Sequence, residues 1–294
     1  MKWLAVSMTV PGELAEAVAD VLARFAPSGT AVSGVPPLDT ADHLTVQAYL
    51  EEPSAGPDAK RRIAEALWHL SQITPIPEPS FTWIEEEDWA ESWKEHFRPL
   101  SVGRRLVVVP AWLANDEPER LPIVLEPGMA FGTGAHPSTR LCLEALEERV
   151  RPGDVVVDVG CGSGILGIAA ARLGARRVLA CDIDADAVAA ARRGAELNGL
   201  TGTIEVFHGS VAEAAARLSQ RKADVVLANI LAPTLEALLR AGLIGLARRD
   251  GVIVLAGILS GQRDGVARAA EKAGLRLTAE TAEGDWVALI FRKA

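Results

Sequence analysis

The chain has 294 residues, 49% of them hydrophobic, and a formal net charge of −9, which excludes a disordered or fibrous chain and provides for about two domains of ordinary size. No apolar run reaches the ~18 residues of a membrane span, and the start carries neither a charged leader nor a cleavable apolar stretch, so a soluble, unexported, cytoplasmic protein is expected. The three cysteines are an odd number with no Cys-x-x-Cys spacing, which suggests neither a disulfide framework nor a structural zinc site.

The first hundred residues hold 7 Lys/Arg against 16 Asp/Glu and so carry the whole acidic excess. That disfavours nucleic-acid contact there and suits a basic partner, with a solubilising surface as the alternative. Residues 2–10 read as a strand. Residues 12–25 follow with Leu14, Val18, Val21, Leu22 and Phe25 at helical spacing. Short β-type stretches at 30–33 and 44–50 lead to a second amphipathic helix over 58–73, marked by Ile63, Leu67 and Leu70. This β-α-β-β-α order resembles a small α+β, ferredoxin-like sandwich. It holds no glycine-rich turn, ligand spacing or ionisable cluster, so residues 1–75 are expected to serve substrate recognition or scaffolding.

Prolines 75, 77 and 79 cannot propagate a helix and read as a linker. A helix is expected over 84–97, where Trp89, Trp93 and Phe97 line one face and six acidic residues lie elsewhere. The aromatics dock the helix on a neighbour or, in the minority reading, face the substrate. Residues 76–99 are therefore taken as linker and aromatic-acidic helix, and 100–294 as a second domain. Two β-type stretches, 105–110 and 122–126, open it.

From residue 137 helices alternate with short apolar strands: helix 137–150, strand 155–159, helix 165–173, strand 177–182, helix 185–198, strand 203–208, helix 211–218 and strand 225–229. Helix 233–247, strand 252–258, helix 262–273 and strands near 275–280 and 286–292 complete the series. Strands this apolar between amphipathic helices require a mainly parallel, doubly wound sheet covered on both faces, here of seven strands and Rossmann-like. The last two strands have only a turn between them, so one runs antiparallel.

The chemistry concentrates at three places. First, Val155-Val-Val-Asp158-Val-Gly160-Cys-Gly162-Ser-Gly164 is a buried strand running into a glycine-rich turn and a helix, where a ligand can approach the backbone at the strand's carboxyl end. About twenty residues on, Asp182 in Cys181-Asp-Ile-Asp184 ends the next strand, where a carboxylate can accept from ribose hydroxyls. Together they define a nucleoside-bearing cofactor. Gly162-Ser-Gly-Ile-Leu-Gly167 also satisfies the dinucleotide fingerprint, but the placement of Asp158 and the terminal strand pair argue against NAD.

The second place is Asp224-Val-Val-Leu-Ala-Asn229-Ile230-Leu231. It puts Asn229 where the fourth strand opens onto the crevice. An amine attacks a methyl only through its lone pair, so a lysine of ordinary pKa ~10.4 must first lose a proton. An amide oxygen and the adjacent backbone carbonyls, including that of Ile230, can orient the remaining N–H groups, and a dry pocket helps depress the pKa. A helix-capping asparagine is the alternative.

The third place is Glu126-Pro-Gly-Met-Ala-Phe131-Gly-Thr133-Gly-Ala-His136-Pro-Ser-Thr139, a glycine-rich loop entering a helix whose first turn carries hydroxyls. Such an N-terminus can hold a carboxylate.

The combination Asp-x-Gly-x-Gly-x-Gly resembles motif I of the class I S-adenosylmethionine-dependent methyltransferases. The 126–139 loop, Asp-x-Gly-Cys-Gly-Ser-Gly-Ile-Leu, Asp-Ile-Asp and Ala-Asn-Ile-Leu, with the segment 87–97 and Asp285-Trp-Val, are similar to the ribosomal protein L11 methyltransferase, or PrmA, family. The resemblance implies S-adenosyl-L-methionine as cofactor, with contacts at Thr139, Gly160, Gly162, Asp182, Asn229, Phe131 and Thr133 and catalysis at Asn229 and Ile230. It implies methylation of lysine ε-amines, and of the N-terminal α-amine, of ribosomal protein L11. Another protein lysine or a small-molecule amine is the alternative acceptor.

Phe131 packs on the cofactor or lysine stem, or equally anchors its loop. His136 orders its loop rather than accepting a proton, and Trp286 belongs more to the core than to the pocket. Scattered histidines predict no metal. No direct nucleic-acid or membrane contact is expected, and a monomer suits an enzyme that must reach several amines.

Overall fold

The computed structural model describes residues 2–11, 18–19, 21–22, 25–26, 30–33, 43–51, 56–71, 76–85, 98–126 and 134–293. The chain divides into two units, Met1–Phe97 and Arg98–Ala294.

In the first unit, β1 (Lys2–Pro11), β2 (Thr30–Ser33), β3 (His43–Glu51) and β4 (Ser80–Glu85) form an antiparallel sheet in the order β2-β3-β1-β4. Strand β1 alternates buried Leu4, Val6, Met8 and Val10 with more accessible residues, so one face of the sheet is apolar. Ile63 and Leu67 of α1 (Pro57–Ser71), together with Val18 and Leu22, close a core over that face. Residues 18, 19, 21 and 22 are helical within the expected 12–25 helix.

In this unit one expectation changes. The chain does not enter a helix at residue 84: Ile84 is in β4, opposite Trp3 of β1. The segment after Pro79 fills the second edge of β1, and Phe81 packs on the core. The rest of the expected helix, with Trp89, Trp93 and Phe97, lies outside the described residues.

The second unit opens with β5 (Leu100–Val102), β6 (Leu106–Pro110) and β7 (Leu121–Leu125), a three-stranded sheet in which β6 and β7 are parallel. The outward groups of β7 are capped by side chains. The Asn198 amide accepts from Val124 N at 3.0 Å and donates to Val124 O at 2.7 Å, and Arg172 Nε donates to the Pro122 carbonyl at 3.0 Å.

Helix α2 (Pro137–Arg149) then leads to the main sheet: β8 (Val155–Val159), α3 (Ile165–Arg172), β9 (Arg177–Asp182), α4 (Ala185–Leu197), β10 (Ile204–His208), α5 (Val211–Leu218), β11 (Ala223–Asn229), α6 (Ala232–Arg240), β12 (Ala247–Leu259), α7 (Arg263–Lys272), β13 (Leu275–Glu283) and β14 (Trp286–Lys293). The seven strands run in the order β10-β9-β8-β11-β12-β14-β13, with β14 antiparallel to both of its neighbours. Val156 packs with α2 and α3 on one face, whereas Val155, Val157 and Val159 pack with α5, α6 and α7 on the other.

Helix α6 is shorter than the spacing predicts. Gly242, at φ +93, ends it, a 3-10 turn follows, and β12 starts at Ala247. The sheet reverses its winding between β8 and β11, so their carboxyl ends frame a crevice where ligands of open α/β sheets bind.

Candidate functional site

Strand β8 delivers the glycine turn to this crevice. Gly160 N and Cys161 N both donate to Cys181 O, at 2.8 and 3.0 Å, which ties the turn to the end of β9. Gly160 has φ +75, and a side-chain carbon there would lie 2.4 Å from Cδ1 of Ile230, so the turn and the end of β11 interlock at this point. Gly162 N donates to Asp182 Oδ2 and Asp184 N to Asp182 Oδ1, each at 3.0 Å. Each carboxylate oxygen thus takes one backbone donor and keeps lone-pair capacity for a further hydroxyl.

Beneath the turn, Asp158 is completely buried, and neither of its carboxyl oxygens has a hydrogen-bond partner among the described residues. Burial pushes its pKa from 3.8 to about 7; the Gly167 N–H draws it partly back without completing a hydrogen bond, and the nearby Asp182 carboxylate adds to the rise. A buried acid of this kind fits a cationic ligand. Cys142, Cys161 and Cys181 are buried and free, and burial holds their thiols protonated, so none serves as a nucleophile.

Across the crevice, Asn229 ends β11. Its Nδ2 lies 3.4 Å from Oγ1 of Thr139, and its Oδ1 is buried without a partner among the described residues. Thr139 is 1% exposed in the first turn of α2. His136 caps that helix: its Nδ1 accepts from Ser138 N at 3.3 Å and lies 2.7 Å from Ser138 Oγ. The ring stands edge-on to Trp286, with centroids 4.5 Å apart. Burial first, then the charge of Arg140, lowers the His136 pKa, opposed by Glu283, which pairs with Arg140. The residue therefore stays a neutral acceptor.

The structure thus brings Thr139, Gly160, Gly162, Asp182, Asn229 and Ile230 to one sheet end. Phe131 and Thr133 lie outside the described residues. Gly257 belongs to the same sheet end and stood in no motif; its signal was a glycine interrupting an apolar strand run. A groove of about 500 Å3 between α6 and α7, lined by Glu236, Arg240, Arg268 and Lys272 among others, contains none of these site residues.

The model of the family described as ribosomal protein L11 methyltransferase (PrmA) matches residues 2–294. The chain belongs to this family. The L11 methyltransferase of Synechococcus sp. (strain RCC307) is 41% identical over 297 residues, covering 99% of this chain and 97% of that protein. That of Geobacter sulfurreducens is 41% identical over 308 residues, covering 99% and 98%. Among solved structures, the ribosomal protein L11 methylase of Lactobacillus delbrueckii subsp. bulgaricus superimposes with a TM-score of 0.59 at 32% identity, covering 67% of this chain and all of that one. As a PrmA-family protein the chain is a class I methyltransferase, and its methyl donor is S-adenosylmethionine. The orphaned Asp158 carboxyl and the Asp182 carboxylate at the glycine turn are the chemistry that a cationic nucleoside requires.

Proposed function

We propose that this enzyme methylates lysine ε-amines, and the N-terminal α-amine, of ribosomal protein L11, and that Asn229 orients the amine. The observation that supports this reading is the buried, unpartnered Oδ1 of Asn229 beside Thr139, at the sheet's switch point. An unpaired buried acceptor is costly unless a ligand supplies the donor, and a neutral amine has N–H groups to supply.

Bound S-adenosylmethionine supplies an electrophilic methyl on a sulfonium. Asp182, with Gly162, holds the ribose; Thr139 and the first turn of α2 hold the methionine carboxylate; Asp158 balances the ligand's positive charge. Asn229 accepts from the amine and so aims its lone pair, while the low-dielectric crevice favours the uncharged amine. Ile230, expected to act with Asn229, contributes by wedging the strand end against the Gly160 turn. Positioning rather than a strong base carries the rate. The acidic first unit recognises the basic substrate, and the enzyme works in the cytoplasm as a monomer.

The test is incubation of the full chain with labelled S-adenosylmethionine and a mixture of large-subunit ribosomal proteins. Several labelled amines on L11, lost in Asn229→Ala with cofactor binding retained, are expected. Label on other proteins or on free lysine alone rejects the substrate.

A further inference from the structure

The end of β11 is gripped from two sides, and only one of them is the glycine turn. On the other side β12 runs buried beside β11, and their register ends at Asn229 opposite Ala256. Against β14, β12 shifts register between Leu255, opposite Leu289, and Ile258, opposite Val287, so it carries one extra residue there. This bulge contains Gly257, at φ +79. A side-chain carbon on Gly257 would lie 2.6, 2.8 and 2.9 Å from the O, C and N of Ile230, all backbone atoms that cannot swing aside. The Ile230 N–H donates to Ala256 O at 3.1 Å, so the bulge both holds and abuts the peptide that follows Asn229.

We infer that Gly257 is a positioning residue for methyl transfer: its missing side chain makes the space in which the Asn229–Ile230 peptide is seated, and so sets where the Asn229 amide stands. Relieving the 2.6 Å contact at the Ile230 carbonyl oxygen to an ordinary 3.4 Å displaces that oxygen by about 0.8 Å, and relieving the 2.9 Å contact at Ile230 N displaces the Asn229–Ile230 peptide itself by about 0.5 Å. The Asn229–Thr139 contact, already 3.4 Å, is broken by such a shift in any direction away from Thr139. Displacements of this order at a reacting group cost roughly 100-fold in rate. The role rests on the proposed function of Asn229.

Gly257→Ala in the full chain is expected to lower kcat by roughly 10- to 100-fold, leaving KM for the protein substrate and the Kd for S-adenosylmethionine within about threefold. Gly274→Ala is the control, since Gly274 has φ +96 with nothing within 4 Å of the added carbon. It carries a similar backbone strain without the collision and is expected to keep its turnover. In an Asn229→Ala background, read from residual labelling, Gly257→Ala is expected to change kcat less than twofold.

An equal loss in Gly274→Ala, or an undiminished loss in the Asn229→Ala background, overturns the inference. Full activity of Asn229→Ala alone instead overturns the proposed role of Asn229, which separates the two failures. Should Gly257→Ala not fold, hydrogen exchange on the unaltered protein decides. The Ile230 amide is expected to be as protected as the interior of β11, and fast exchange there refutes the seat.

Discussion

Replacing Asp158 by asparagine isolates the energetic cost of a buried acid. The side chain is completely enclosed, and its carboxyl takes a pKa of about 7, against 3.8 for the free group. Between those values the folded chain holds a proton that the unfolded chain has released, so stability falls as pH rises. The burden is absent below 3.8 and complete above 7. At about 1.36 kcal/mol per tenfold change in proton affinity it totals about 4 kcal/mol, of which about 3 kcal/mol falls between pH 5 and pH 8.

The substituted asparagine does not titrate, so its own unmatched amide adds a penalty independent of pH. Urea unfolding at pH 5 and pH 8 is therefore expected to show the stability of Asp158→Asn, relative to the native sequence, improving by about 3 kcal/mol from the lower to the higher pH. A difference that stays constant within ~0.5 kcal/mol between the two pH values would refute the argument that burial raises the pKa of this acid. The same substitution is expected to weaken S-adenosylmethionine binding more at pH 8, where Asp158 is ionised and offers a countercharge, than at pH 5, where it is neutral.

Asn229→Ala is expected to lower kcat roughly 100-fold with cofactor affinity nearly unchanged, read by single-turnover labelling and calorimetry. His136→Ala removes the cap of α2 at a cost of about 1 kcal/mol. Because the folded His136 pKa is lowered, its contribution is complete above 6.5 and is lost as pH falls below that value, so melts of the variant should have a flatter acid limb. Asn198→Ala strips the partners from Val124 N and O and is expected to cost about 2–3 kcal/mol in urea unfolding.

From Pro137 onward the alternation of elements was legible because strands buried on both faces must be apolar throughout, as in Val155–Val159. The pairing of the Gly162 turn with Asp182 was legible for a related reason: the backbone near a nucleoside constrains residue type at fixed spacing. What escaped depends on contacts distant in sequence. Strand β4 was hidden because Phe81 and Trp83 alternate over too few residues, and the decisive fact is the open edge of β1 some 75 residues earlier. β12 begins with Ala-Arg-Arg-Asp, which locally continues the helix pattern, and only the left-handed Gly242 and the pairing with β11 end it. Gly257 reads as a tolerated glycine in a strand until the peptide of Ile230, 27 residues earlier, is seen to fill the space beside it. The role of Asp158 is similar: its place in the motif was visible, its lack of any partner was not.

The edge of β7 has a consequence for synthesis. Its outward groups are sealed not by a strand but by Arg172 and Asn198, which lie 50 and 74 residues beyond their partners. At ~5–20 residues per second a growing chain leaves that edge open for roughly 4–15 seconds after β7 emerges. During that interval it is a template for pairing with another chain, and Pro122, which offers no N–H, blunts it. Loss of Asn198 would leave Val124 N and O open permanently, so its variant should reveal itself first as aggregate in the expressing cell, before any melting curve is measured.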